Sequence, residues 1–312
     1  MKNNLQVLSI IGPTAIGKST LALELCKKYP FEIVSVDSSM IYRDMNIGTD
    51  KPSEKILSEI NHHLVNIRNP DEEYNVGQFF LDCKKSIQDI HKKNKTPLLV
   101  GGSFMYLNQI YNGMSLLPNK SMDDRIFLNR LLDKYSCQDL HQCLKNIDKD
   151  SYSRIDKNDK QRVERALEVF MSTGKPMSYF FNEKVSILND FRVLTIKLVS
   201  EDRKILHNKI KSRIKHMFSK GFIEEVSYVT NKYSLSKESQ SMKSIGYREI
   251  FAYLTDNLDI NDLEDKCLFS TRQLAKRQLT WLRQFKDCYE VKIMSNRLEK
   301  MSVLIDKHLQ FI

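Results

Sequence analysis

Gly12-Pro13-Thr14-Ala15-Ile16-Gly17-Lys18-Ser19 follows the pattern Gly-x-x-x-x-Gly-Lys-[Ser/Thr], a loop whose backbone N–H groups cradle a di- or triphosphate. Upstream, Val7 to Ile11 is a short apolar run suited to a strand. Downstream, Lys18 to Lys28 reads as a helix, with Leu21, Leu25 and Lys28 on one side. A strand that feeds a helix N-terminus through glycines is an anion site, because unpaired N–H groups and the helix dipole both point at the ligand. The expected phosphate contacts are Gly12 through Ser19 and the adjoining Thr20. Lys18 would reach the terminal phosphates, and the Ser19 hydroxyl would help hold Mg²⁺. The loop identifies an anion but leaves open which pyrophosphate compound it holds.

Strand-like and helix-like runs alternate from there. Glu32 to Val36 is a short apolar strand ending in Asp37. Tyr74 to Lys93 reads as a helix, with Val76, Phe79, Phe80, Cys83, Ile87 and Ile90 at helical spacing. Pro97 to Val100 is a third strand, closed by Gly101-Gly102. This alternation implies an α/β fold: a P-loop NTPase-like core whose parallel sheet is flanked by helices, with ligands at the C-terminal strand ends. Gly12–Ser19, Asp37-Ser38-Ser39 and Gly101-Gly102-Ser103 should then converge on one crevice. After Pro118 the character changes. From Asp123 to about Phe181 the pattern is helical throughout, and the helix Gln161 to Met171 is stopped by Thr173-Gly174-Lys175-Pro176. A β-like run returns at Arg192 to Val199. The expected organisation is a core of residues 1–118 and 190–312 with an inserted all-helical lobe over 119–189. Further helices read at His207 to Lys220 (closed by Gly221), at Ile223 to Asn231, and from about Thr271 to Phe285.

Across 312 residues, 41% hydrophobic and 28% charged content are ordinary for a globular protein able to bury a sizeable core. No apolar run approaches the roughly 18 residues of a membrane span. The first strand follows Met1-Lys2-Asn3-Asn4 too closely for a signal peptide, so a cytoplasmic location without a membrane is expected. The six cysteines are scattered, with no Cys-x-x-Cys pair, and read as reduced. His62-His63 would point to opposite faces of a strand, which disfavours a shared metal. The net charge of +10 is unevenly spread: Arg203 to Lys220 holds seven Lys or Arg and no acid, and Thr271 to Lys286 holds five and no acid. Such stretches suit a polyanion-binding face, or simply a solvated basic surface.

Asp37, directly after a buried-type strand, fits three roles: a Mg²⁺ anchor, a general base aimed at a second substrate, or a turn cap. Ser103 follows a Gly-Gly turn and would present its hydroxyl to the same crevice. Arg162 and Arg165 lie three apart on one helix face, placed either for structural ion pairs or for phosphate. Trp281, the only tryptophan, either packs at a helix interface or stacks on a base.

Taken in order along the chain, the phosphate loop is followed by Asp37-Ser38-Ser39-Met40-Ile41-Tyr42-Arg43, Gly48-Thr49-Asp50-Lys51-Pro52 with His62-His63-Leu64, and Gly101-Gly102-Ser103. Next come Gln161-Arg162-Val163-Glu164-Arg165-Ala166-Leu167, Thr173-Gly174-Lys175-Pro176, Gly221-Phe222-Ile223-Glu224-Glu225-Val226 and Ile245-Gly246-Tyr247-Arg248-Glu249. The last block runs from Thr271-Arg272-Gln273 to Trp281-Leu282-Arg283. Together they resemble the bacterial tRNA dimethylallyltransferases, also called tRNA isopentenyltransferases. The resemblance implies transfer of a dimethylallyl group from dimethylallyl pyrophosphate to N6 of adenosine 37 in tRNAs that read codons beginning with U. Mg²⁺ is the implied cofactor, and the anticodon stem-loop of tRNA the implied partner of a monomeric enzyme.

Carried over, Asp37 is the general base, Ser103 bonds the leaving oxygen or the adenine, and Arg213 holds pyrophosphate. Implied tRNA contacts are Asp37, Ser38, Ser39, Met40, Ser103, Asp123, Gln161, Arg162, Val163, Glu164 and Arg165. They continue with Lys243, Ser244, Ile245, Gly246, Tyr247, Arg248, Lys276, Arg277, Gln278, Leu279, Thr280, Trp281, Leu282 and Arg283. The target base would be flipped out of its stack to reach Asp37. Three residues depart from the family pattern: Met40 stands for a usual glutamine, Phe104 for a glycine and Lys209 for an arginine. The competing readings are prenylation of a free adenine nucleotide, a small-molecule kinase, and a nucleic-acid-binding switch in which Asp37 only anchors Mg²⁺.

Overall fold

The computed structural model describes residues 5–115, 117–118, 122–181, 184–256, 262–292 and 297–309. The chain begins with β1 (Gln6–Ile11), α1 (Lys18–Lys28), β2 (Phe31–Val36), α2 (Glu54–Glu59) and β3 (His62–His63). α3 (Val76–Lys92), β4 (Thr96–Gly101) and α4 (Phe104–Asn112) follow, then β5 (Met114–Ser115). The middle of the chain forms α5 (Met122–Leu132), α6 (Cys137–Ile147), α7 (Lys149–Arg154), α8 (Lys160–Thr173) and β6 (Lys184–Val185). The last part holds β7 (Arg192–Val199), α9 (Arg203–Ser219), α10 (Phe222–Lys232), α11 (Tyr247–Asp256), α12 (Leu263–Leu282), β8 (Tyr289–Lys292) and α13 (Arg297–Leu309). Two compact units result: residues 1–111 with 187–312, and residues 112–186.

The first unit is built on a six-stranded sheet in the order β3-β2-β4-β1-β7-β8, every pair parallel. β1 and β2 are buried along their whole length, as expected of central strands covered on both faces. Helices form between them because each carries its own local instructions. α3, for example, opens with Asn75 accepting from Gln78 N while the Gln78 side chain bonds Asn75 N, and it buries Phe79, Phe80, Cys83, Ile87 and Ile90. Register then aligns the strand ends. Val36 and Ile11 both pair with Gly101, so β2, β4 and β1 finish at one level and release three adjacent loops. A Cβ on Gly101 would overlap the Val36 carbonyl, which is why the close-packed end of β4 requires glycine.

Some elements left weak traces in the sequence. β3 has two residues, and β8 exposes all but Val291, so neither shows a buried-strand pattern. α9 starts at Arg203, where Asp202 caps it by accepting from Lys204 N, rather than at His207. α12 begins at Leu263, ahead of its basic stretch, and Glu264 and Asp265 in the first turn suit the dipole. His62 and His63 occupy the edge strand. His63 Nε2 lies 2.8 Å from the buried Glu32 carboxylate, at the N-terminal end of β2. Burial opposes the charge on Glu32, but His63, Asn61, Lys95 and Lys93 outweigh it and hold the carboxyl well below the usual range.

The second unit packs α5, α6, α7 and α8 around Leu128, Leu140, Leu144, Val163, Leu167 and Val169. Gly174, at φ 67°, ends α8 in the left-handed conformation and donates to Phe170 O. The unit spans residues 112–186 and includes β5 and β6, which pair antiparallel (Met114 with Val185). Two-residue strands carry no periodic signal.

Candidate active site

The loop after β1 turns through two left-handed residues, Ala15 at φ 59° and Gly17 at φ 96°, and Gly17 caps α1. Ile16 is fully buried and anchors the turn. At Gly12 a Cβ would sit 3.1 Å from Ile16 Cγ2 and 3.2 Å from Leu198 O, so the loop lies tight on β7. Lys18 Nζ donates to Pro13 O at 2.8 Å. Burial, aided by the Arg213 charge and only partly offset by Asp37, lowers the Lys18 pKa to about 8. Arg213 reaches in from α9: Nη1 donates to Thr14 Oγ1 at 2.9 Å, and Nε lies 3.5 Å from Asp50 Oδ2. Two cations therefore face one loop that offers them only neutral acceptors, an arrangement suited to an anion.

The loop after β2 begins with Asp37, whose Oδ1 accepts from Ser39 N at 2.8 Å and Met40 N at 3.2 Å. Turn capping therefore occupies one carboxylate oxygen. Oδ2 receives no hydrogen bond from the described residues, and Asp37 lines the central cavity. From the loop after β4, Ser103 Oγ accepts from Ser38 N at 3.1 Å, tying the two loops together beside Asp37. The cavity these loops enclose has a volume of about 980 Å³. One wall is a stripe of α9: Ile205, Asn208, Lys209, Ser212, Arg213 and His216. The other is a stripe of α12: Leu274, Arg277, Gln278 and Trp281. Both stripes follow the three-to-four spacing of a single helix face.

The three expected loops thus meet. Thr14, Ala15, Gly17, Lys18, Ser19, Thr20, Asp37, Ser38, Ser39, Met40, Ser103 and Arg213 all line the cavity. Ser244 joins them indirectly, its Oγ 3.0 Å from Ser39 Oγ. Lys243, Arg248, Lys276, Thr280 and Arg283 are exposed outside it, and Arg277 and Trp281 are exposed at its wall. Gly246, Tyr247 and Leu282 are instead buried and do not form the exposed surface. In the helical unit Asp123, Gln161 and Arg162 are exposed, while Val163 belongs to the core. Arg165 pairs with Glu168 at 2.8 Å and donates to Pro118 O.

Glu225 carries a role that its sequence block did not reveal. Its carboxylate accepts from Asn46 N (2.9 Å), Ile47 N (2.7 Å) and Gly48 N (3.1 Å), and also from the buried Tyr247 hydroxyl. A Cβ at Gly48 would overlap the Phe222 ring and lie 2.5 Å from that of Tyr247. This clamp fixes the loop whose Thr49 carbonyl and Asp50 carboxylate hold Arg213. The blocks containing Gly48, Glu225 and Tyr247 were legible one at a time. Nothing local shows that they interlock.

Residues 40–285 match the IPP transferase family. The chain is 39% identical over 287 residues to the tRNA dimethylallyltransferase of Coxiella burnetii, covering 92% of each protein. Its fold resembles that of the full-length tRNA isopentenylpyrophosphate transferase from Bacillus halodurans (TM-score 0.71, 30% identity, 98% and 97% of the two chains covered). It also resembles a eukaryotic dimethylallyltransferase acting on tRNA (TM-score 0.84, 26% identity, 97% and 79% covered). With most of its length matched at this level, the chain belongs to the IPP transferase family.

Proposed function

We propose that this protein transfers a dimethylallyl group from dimethylallyl pyrophosphate to N6 of adenosine 37 in tRNAs that read codons beginning with U. The products are N6-dimethylallyladenosine and pyrophosphate. The observation that carries this reading is the meeting, in one cavity, of a phosphate loop with two cations and a carboxylate with one oxygen that accepts no hydrogen bond among the described residues. Tight relatives named for dimethylallyl transfer to tRNA support it.

In this reading Lys18, Arg213 and the N-terminus of α1 bind the pyrophosphate and stabilise the charge that grows as the C1–O bond breaks. The adenine N6 forms the new bond to C1, and Asp37 Oδ2 takes its proton while Oδ1 stays in the turn. Ser103, held on Ser38 N, bonds the leaving oxygen or the adenine. Among the described residues no group of three or more His, Cys, Asp or Glu could hold a metal. Ser19 and Asp37 offer only hard oxygen donors, which suits an Mg²⁺ that takes most of its ligands from phosphate and water. Bound there with Ser19, Mg²⁺ would neutralise the leaving group.

Lys276, Arg277 and Arg283 beside the exposed Trp281, together with Lys243 and Arg248, form the basic surface that would meet RNA. Gln161 and Arg162 of the helical unit are further contacts. Labelled dimethylallyl pyrophosphate offered with Mg²⁺ and either unmodified tRNA or AMP tests the reaction. Label should appear in tRNA; label in AMP alone, or in neither, refutes the reading. Asp37→Asn keeps an oxygen for the turn and removes the base, so tRNA binding should persist while the rate falls at least about a hundredfold. Near wild-type turnover would remove Asp37 from its role.

A further inference from the structure

Gln278 lies on the cavity face of α12 and is only 7% exposed. Both ends of its carboxamide are used. Oε1 accepts from Thr14 N at 2.8 Å, and Nε2 donates to Gly102 O at 2.8 Å. Thr14 belongs to the loop after β1, which carries Lys18 and Ser19. Gly102 precedes Ser103, which holds the turn beside Asp37. β1 and β4 are paired as far as Ile11 and Gly101. Beyond that point the ladder stops, and one buried side chain satisfies an N–H of one loop and a C=O of the other. The fit is close on the Gly102 side, where an added Cβ would fall 2.9 Å from Gln278 Nε2.

We propose that Gln278 is a positioning residue that sets the spacing between the leaving-group cradle and the loop presenting Ser103 and Asp37, rather than a contact to tRNA. The proposal rests on the transferase reading above. Attack of N6 on C1 needs donor and acceptor within a near-attack distance, and a misplacement of about 1 Å costs roughly a hundredfold in rate. A side chain that spans the two loops controls that distance without touching either reactant.

Three measurements test it. Gln278→Met keeps the volume and loses both bonds. Its kcat should fall roughly 10- to 100-fold while the KM for tRNA stays within about twofold. Gln278→Glu keeps the acceptor for Thr14 N but sets a carboxylate against the Gly102 carbonyl. Protonating the introduced carboxyl restores the donor, so the ratio of variant to wild-type rate should climb as pH falls. A merely structural role would lower tRNA affinity and rate together. Hydrogen exchange at the Thr14 amide, measured on the folded protein without substrate, should quicken in Gln278→Met by about tenfold or more. Wild-type kcat in Gln278→Met, a flat pH ratio in Gln278→Glu, or unchanged Thr14 exchange would each overturn the proposal. A wild-type protein that fails to prenylate tRNA while Thr14 remains Gln278-dependent in exchange would instead refute the functional reading.

Discussion

Donor binding should be coupled to proton uptake by Lys18. Burial and the Arg213 charge bring this lysine down to about 8 from 10.5. Bound pyrophosphate supplies an opposite charge that the loop's neutral acceptors do not, so it raises the pKa again. Binding therefore takes up a proton at and above pH 8, and affinity falls as pH rises through that range. With a pKa of about 8, roughly nine-tenths of the lysine is charged at pH 7 and one-tenth at pH 9. If only the charged form binds well, Kd rises about tenfold between these values, or about 1.4 kcal/mol. Calorimetric titration of dimethylallyl pyrophosphate without tRNA, where no transfer can occur, measures this directly. Repeated in buffers of different ionisation enthalpy, it should show about half a proton taken up per site at pH 8. Lys18→Met carries the same ligand ionisation and isolates the lysine: its affinity should be lower and keep only the pH dependence of the ligand itself. Arg213→Gln removes a charge that depresses Lys18, so the midpoint should move up even as affinity drops. Equal pH dependence in wild type and Lys18→Met, with no proton uptake, would refute the reasoning.

Three other outcomes follow from the geometry. Glu225→Ala leaves three backbone N–H groups and the Tyr247 hydroxyl without their acceptor. It should cost about 1–3 kcal/mol in denaturant unfolding and also weaken donor binding, because the released loop carries Thr49 and Asp50; unfolding at the wild-type midpoint would show that the clamp is dispensable. For tRNA binding, log Kd against log salt should be steep, and Arg283→Ala should reduce the slope by about one contact. Arg165→Ala should leave that slope unchanged while lowering the stability of the helical unit, since Arg165 pairs with Glu168; a reduced slope there would show that Arg165 meets phosphate.

Much of the fold was written locally. The apolar run of β1, the glycines and Lys18 after it, the apolar spacing of α3 and the Gly174 stop of α8 each act within a few residues, and each could be read from the chain. Charge could be counted but not assigned. Arg162 and Arg165 look alike in sequence, yet one is exposed and the other is held on Glu168 and Pro118. Val163, Tyr247 and Leu282 fall inside informative blocks but point into cores. Of the three roles read for Asp37, the turn cap is formed by one oxygen, while the other accepts no hydrogen bond among the described residues.

By itself the sequence determined that a strand, a phosphate-binding turn and a helix occur in succession, and that three such strand ends carry polar loops. Backbone propensity and hydrophobic period are properties of neighbouring residues. The tertiary structure decided that β2, β4 and β1 lie side by side and end level. It also decided that Glu225 holds the loop behind Arg213, and that Gln278 joins Thr14 to Gly102. Those contacts link residues more than 160 positions apart. They exist only when the sheet has closed and buried the groups that must then be satisfied.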